Sequence, residues 1–158
     1  MVKAAAVPAT RGSRLTFPDQ VNSDTQSGLE AFAPSAQTIL VVNDDEDALF
    51  LLEHALRRVF PEARLLTADN GKEGLEVWRR ERLDGVITDN RMPEISGILL
   101  TRKIREVDTE LPIVMMTCSA QDQAEALAAG VTVFYPENDL DGGVQCLKQC
   151  LDSVKKHN

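Results

Sequence analysis

Asp44, Asp45 and Asp89 are the residues of this 158-residue chain whose type and setting could do chemistry. Asp89 follows Val86-Ile87-Thr88, a short apolar run that reads as a buried strand, so it stands where the chain leaves a sheet. Met92-Pro93 then turns the backbone and Ser96-Gly97 opens a helix, which braces the acid from both sides. Asp44 and Asp45 end a second run, Thr38-Ile39-Leu40-Val41-Val42, typical of a strand covered on both faces. In open α/β sheets, ligands bind at the carboxyl ends of strands. Carboxylates converging there from neighbouring strands repel, so either one stays protonated or a hard divalent cation sits among them, and an oxygen-only set with open coordination suits Mg²⁺. With such a cation beside it, Asp89 can act as nucleophile on a phosphoryl group and form an acyl phosphate. Thr117, at the end of a further apolar run, can donate its hydroxyl to the phosphoryl oxygens. The plainer alternative is that Asp44 to Asp47 cap the helix that follows, and Asp47 is expected to do so.

The elements that must position these residues alternate in type. After the first strand, Ala48, Leu52, Ala55, Leu56 and Val59 form one stripe of a helix that stops before Pro61 and turns Glu53, His54, Arg57 and Arg58 to water. Arg64-Leu65-Leu66-Thr67 is a second strand, and Asp69-Asn70-Gly71 leads into a helix through Leu75 and Trp78 to about Arg82. A third helix follows Asp89, with Leu100, Ile104 and either Ile98 or Leu99 inward and Arg102, Lys103, Arg105 and Glu106 outward. Ile113 to Thr117 is a fourth strand. Ala124, Leu127 and Ala128 mark a short fourth helix closed by Gly130, Val131 to Tyr135 a fifth strand, and Val144, Leu147, Leu151 and Val154 a last helix. Five strands alternating with five helices predict a doubly wound parallel sheet of order 2-1-3-4-5, with helices on both faces. In that order the strands ending in Asp44-Asp45 and in Asp89 are neighbours.

Composition narrows the function classes. The formal charge is −8, and the first 18 residues hold Lys3, Arg11 and Arg14 without an acid, so the acidic excess lies in the remainder. No cluster of Lys and Arg is present to meet a phosphate backbone, which argues against nucleic acid as a partner. No apolar run approaches a membrane span, and three cysteines without framework spacing fit reduced thiols, so the expectation is a cytoplasmic protein off the membrane. Cys146 and Cys150 lack His or Cys partners at ligand spacing and read as packing residues. Residues 1–36, with prolines at 8, 18 and 34 and no sustained period, read as a flexible arm ahead of one domain over residues 37–155.

These residues together resemble the receiver domain of two-component response regulators, the CheY-like family. The resemblance rests on the acidic pair after the first strand, the Asp-x-x-Met-Pro-x-x-x-Gly signature from Asp89 to Gly97, the stretch Ala68-x-Asn70-Gly71-x-Glu73-Gly74-Leu75, and Leu111-Pro112 before the fourth strand. It implies that Asp89 is the phosphoacceptor, that Asp44 and Asp45 with Asp89 and the backbone carbonyl of Arg91 hold Mg²⁺, and that Thr117 is the switch hydroxyl. It implies a sensor histidine kinase or histidine phosphotransfer protein upstream and a target protein downstream, and no enzymatic activity beyond the domain's own phosphorylation and dephosphorylation. No output module follows Asn158, so a stand-alone receiver is expected.

Two departures bear on the output. The family carries a Lys directly before the proline after the fifth strand, and here Tyr135 precedes Pro136. A Tyr offers one neutral hydrogen bond where a Lys supplies a point charge, and Arg91 is the candidate substitute cation. In that register the family's aromatic switch position falls at Thr132, and the segment from Thr117 to Pro136 is shorter than the family norm by roughly one helical turn. The second reading is therefore a degenerate receiver that docks a partner irrespective of phosphate. A third, an aspartate phosphohydrolase, draws on the Asp-x-Asp spacing of Asp45 and Asp47 and leaves the Met-Pro-x-x-x-Gly pattern without a role.

Overall fold

The computed structural model describes residues 36–136 and 139–157; apart from Ala36, the expected arm over residues 1–36 lies outside them. Strands β1 (Thr38–Val42), β2 (Arg64–Ala68), β3 (Gly85–Thr88), β4 (Ile113–Met116) and β5 (Val133–Tyr135) alternate with helices α1 (Glu46–Val59), α2 (Gly71–Arg80), α3 (Gly97–Arg105), α4 (Gln123–Ala129) and α5 (Leu140–Lys156). The strands form one sheet in the order β2-β1-β3-β4-β5, with every pairing parallel, as the alternation predicts.

Alternate residues of each strand feed separate cores. Leu40, Val42, Val86, Ile113 and Met115 face α2, α3 and α4, packing with Leu75, Leu100, Ile104 and Ala126. Ile39, Val41, Ile87, Val114 and Met116 face α1 and α5, packing with Leu52, Leu56, Val144 and Leu147. Leu56, Leu100 and Ile104 are fully buried; each such side chain contributes roughly 1.5–3 kcal/mol, so packing rather than helix propensity holds these helices in place.

Caps set where the helices begin. Asn70 accepts from the Glu73 amide at 2.8 Å while the Glu73 carboxylate accepts from the Asp69 amide at 3.0 Å, a reciprocal cap at the start of α2. Ser96 caps α3 by accepting from the Leu99 amide at 3.2 Å. Gly130 closes α4 at φ 104°, a left-handed conformation that glycine adopts without Cβ strain.

The structure corrects several sequence expectations. Helix α2 ends at Arg80, and Ile98 rather than Leu99 joins the core, Leu99 being 38% exposed. The buried face of α4 is Ala126 and Ala129; Leu127 is 50% exposed, because a short helix packed close against α3 presents its small residues inward. Val154 is exposed, since α5 continues past the edge of the core after Leu151. Arg105, placed outward by periodicity, folds back over the end of α3. There it donates from Nε to the Gly130 carbonyl at 2.9 Å, from one terminal nitrogen to the Asp108 carbonyl at 3.0 Å, and from the other to the Leu111 carbonyl at 2.8 Å.

Candidate functional site

At the carboxyl edge of the sheet a cleft of about 360 Å³ opens among the ends of β1, β3 and β4. Asn43, Asp44 and Asp45 come from β1, Asp89 from β3, and Met116, Thr117 and Cys118 from β4; Ala48, Leu52 and Leu140 form the α1 and α5 side. The register explains the grouping: Val42 pairs with Thr88, and Thr88 with Met115, so the next residues of the three strands emerge side by side.

The backbone around Asp89 is fixed on several sides. Its amide donates to the Val42 carbonyl at 3.0 Å, and the buried Thr88 hydroxyl donates to its carbonyl at 2.7 Å. The Asn90 amide donates to Asp89 Oδ1 at 2.7 Å, orienting the carboxylate. A Cβ on Gly97 would stand 2.1 Å from the Asp89 carbonyl oxygen, so the start of α3 and the end of β3 approach as closely as backbone alone permits. Burial pushes the Asp89 carboxyl above its ordinary value. The charge of Asp44 adds to that push, against the pull of the Asn90 and Arg91 amides and of the Arg91 guanidinium.

Asp45, and not Asp47, caps α1. Its Oδ1 accepts from the Asp47 amide at 2.9 Å and the Ala48 amide at 3.2 Å, while its own amide donates to Asn43 Oδ1 at 2.9 Å. The extended backbone of Asp45, at φ −97° and ψ 114°, places its side chain over the first turn, whereas Asp47 already lies within the helix. Asp45 thus lines the cleft with one oxygen committed to the cap of α1.

The three acids share the cleft without closing into a cage: among the described residues no group of three or more His, Cys, Asp or Glu side chains stands ready to hold a metal. The donor set nevertheless fits a hard cation. Its acids offer only oxygen, no basic residue is among the described residues that line the cleft, and Mg²⁺ retains several waters and needs few protein ligands.

Sequence reasoning missed a group that borders this cleft. Asn90 is 8% exposed; its Oδ1 accepts from the Ile98 amide at 3.0 Å and its Nδ2 donates to Asp122 at 2.8 Å. The Arg91 guanidinium donates to Ser119 Oγ at 3.0 Å and meets Asp122 at 3.4 Å. Thr117, 5% exposed, accepts from the Ser119 amide at 3.3 Å and reaches β5 through its own amide, which donates to the Tyr135 carbonyl at 3.2 Å. A polar residue next to Asp89 and an acid just after the fourth strand were visible in the chain, but only the fold reveals that they meet.

The fifth strand differs from the sequence reading. Tyr135 is half-buried against the α1–α5 core and its hydroxyl donates to Asp139 at 3.3 Å; it is not among the cleft-lining residues. Thr132 lies ahead of β5, where its Oγ1 accepts from the Ile113 amide at 2.9 Å. The buried aromatic of this strand is Phe134, paired with Met115 and packed in the core with Ala126.

The family described as response regulator receiver domain matches residues 39–135. The chain is 35% identical over 117 residues to the transcriptional regulatory protein GlrR of Escherichia coli K12, covering 72% of this chain and 26% of that protein. It is 43% identical over 97 residues to the uncharacterized transcriptional regulatory protein YrkP of Bacillus subtilis 168, covering 60% of this chain and 40% of that one. The chain therefore spans about a quarter of GlrR and two fifths of YrkP. The crystal structure of a CheY-like response regulator receiver domain protein from Methanospirillum hungatei superposes with a TM-score of 0.70 at 24% identity, covering 78% of this chain and all of that one, a likeness that bears on the fold.

Proposed function

Because this chain belongs to the response regulator receiver domain family of two-component systems, we propose that it takes a phosphoryl group from a phosphohistidine donor onto Asp89 and signals by docking a partner protein. One observation carries the reading: Asp89 lies in a cleft beside Asp44, Asp45 and Thr117, held by a neighbouring amide and with its carboxyl raised by burial. A carboxylate that is poorly solvated and fixed in direction is a better nucleophile than one in water.

In the transfer, an oxygen of Asp89 forms a bond to phosphorus as the P–N bond of the donor breaks, and the departing imidazole nitrogen takes up a proton from solvent. Asp44, Asp45, Asp89 and the Arg91 carbonyl are the groups that would hold Mg²⁺, which when bound offsets the repulsion between the carboxylate and the incoming phosphoryl group. The Asn90 amide keeps one oxygen of Asp89 engaged and so orients the carboxylate in the cleft. Thr117 directs its hydroxyl to the phosphoryl oxygens, and the same residue is hydrogen-bonded to both the Ser119 turn and β5.

At the position directly before the proline that follows β5, where the family carries its Lys, this chain has Tyr135. Arg91 is the cation nearest in sequence to Asp89, and its charge already acts on that carboxyl. The second reading, a receiver that docks irrespective of phosphate, has one observation behind it: among the described residues lining the cleft, none is basic. Downstream partners, a cytoplasmic setting and the expected lack of nucleic-acid contact remain part of this proposal. Among the described residues, no helix is long and apolar enough to cross a membrane.

Incubation with Mg²⁺ and a small amido phosphate, read by intact mass, tests the reading on wild type, Asp89→Asn and Tyr135→Lys. One phosphoryl group gained by wild type and absent from Asp89→Asn supports it. Absence of labelling in wild type that still binds Mg²⁺ moves the conclusion to the phosphate-independent docking domain.

A further inference from the structure

Two loops flank the proposed phosphoacceptor, one after β3 and one after β4, and a single carboxylate ties them. Asp122, on the 3-10 turn Ala120–Asp122 that leads into α4, accepts from Asn90 at 2.8 Å through one oxygen and meets Arg91 at 3.4 Å through the other. The two contacts are unequal. Asn90 is buried and also fixed by the Ile98 amide, whereas the Arg91 side chain is 66% exposed against 17% for Asp122, and its second partner is the neutral Ser119 hydroxyl at 3.0 Å. Arg91 is therefore the part of the tie that is cheap to displace. Neither the 3-10 turn nor α4, seven residues long, has a side-chain cap hydrogen bond; beyond the Asp122 contacts, the first turn of α4 is held by the Arg102–Glu125 pair at 3.2 Å and by the buried Ala126.

We propose that Asp122 is a positioning residue that holds the Arg91 guanidinium against the Ser119–Asp122 turn, and surrenders it when Asp89 is phosphorylated, so that this turn and the start of α4 loosen together. This rests on the reading of Asp89 as phosphoacceptor. The competition favours transfer for reasons of charge and shape. A phosphoryl group carries between one and two negative charges and presents several acceptor oxygens to a planar guanidinium, while Asp122 offers one charge at a long distance and is already satisfied by Asn90. Arg91 is two residues from Asp89, and no basic residue lines the cleft among those described. Once Arg91 leaves, Ser119 loses a donor and Asp122 keeps one, which removes the link from the β3 loop to Ser119 and halves the link to Asp122.

A double-mutant cycle on labelling rate separates this from a general effect of charge. Asp122→Asn preserves shape and the contact with Asn90; it is expected to speed labelling of Asp89 from an amido phosphate about two- to fivefold by releasing Arg91, the scale of an exposed ion pair. Arg91→Gln is expected to slow labelling, and in the Arg91→Gln background Asp122→Asn is expected to change nothing. A second measurement reads the loop itself: with Mg²⁺ and beryllofluoride, amide exchange over residues 117–130 rises in wild type and is already raised in Asp122→Asn without the mimic. An Asp122→Asn effect that persists undiminished without Arg91, or exchange over 117–130 that stays unchanged while fluorine NMR shows the mimic bound, overturns the proposal and leaves the phosphoacceptor intact. Failure of wild type to label or to bind the mimic rejects the phosphoacceptor reading, and this proposal with it.

Discussion

Arg105 Nε donates to the carbonyl of Gly130 at 2.9 Å, tying the last turn of α3 to the left-handed residue that closes α4. The same guanidinium serves the Asp108 and Leu111 carbonyls, so one side chain satisfies three main-chain acceptors, two in the α3–β4 loop and one at the end of α4. Arg105→Ala is expected to cost about 2–4 kcal/mol in denaturant unfolding, because charged donors to carbonyls that cannot all turn to water are strong. Arg105→Lys should recover less than half, since an ammonium cannot reach three acceptors spread around a planar fork.

Gly97 borders the site through its lack of a side chain. With a Cβ 2.1 Å from the Asp89 carbonyl, Gly97→Ala must push the end of β3 away from α3. We expect a loss of about 1–3 kcal/mol in stability. Labelling of Asp89 should fall about tenfold or more, since displacements near 1 Å at a reacting group are costly. Normal labelling in a destabilised Gly97→Ala protein would show that the strand end tolerates the shift.

Burial raises the Asp89 carboxyl above its ordinary value of 3.8, so this group binds its proton more tightly in the folded chain than in the unfolded one. Its contribution to stability is then fully present below pH 3.8 and lost as pH rises through the elevated value; at neutral pH the ionised carboxylate is a cost. In chelator-treated protein, Asp89→Asn should melt a few degrees above wild type at pH 7. The gap should close as the pH falls below 3.8; a gap constant with pH would refute the assignment.

The inward face of α4 is set by its alanines. Ala126 is fully buried and Leu127 half exposed. Leu127→Ser is expected to change stability by less than about 0.5 kcal/mol. Ala126→Leu should cost about 1–3 kcal/mol by overfilling the contact with α3. The opposite ranking would restore the face that hydrophobicity alone suggests.

That error shows where the sequence ceased to be readable. Continuous apolar runs such as Ile39 to Val42 report a strand buried on both faces, and their alternation with helices was enough to order the sheet. Periodicity failed where a helix is short or ends beyond the core: Leu127 and Val154 are apolar yet exposed, and Arg105 is charged yet folded onto the backbone. At the site, Asp44, Asp45, Asp89 and Thr117 were identifiable because each follows a strand. Asn90, Ser119 and Asp122 were not, because their roles arise from contacts between loops about 30 residues apart, which no local pattern encodes. The cap on α1 was assigned to Asp47 for a related reason: four polar residues in succession offer several helix starts, and the turn made by Asn43 and Asp45 decides among them.

The division of each strand between two cores gives the molecule a form of modular inheritance. A change in the packing of α1 and α5 is sensed through Ile39, Val41 and Val114, and one in α2, α3 and α4 through Leu40, Val42 and Ile113, so among the described residues the two cores lie on opposite faces of the sheet. Substitutions in opposite layers should combine additively. One outer surface can then drift toward new binding preferences while the other keeps its own history, and the carboxyl edge, fed by both, remains the part that neither layer can alter alone.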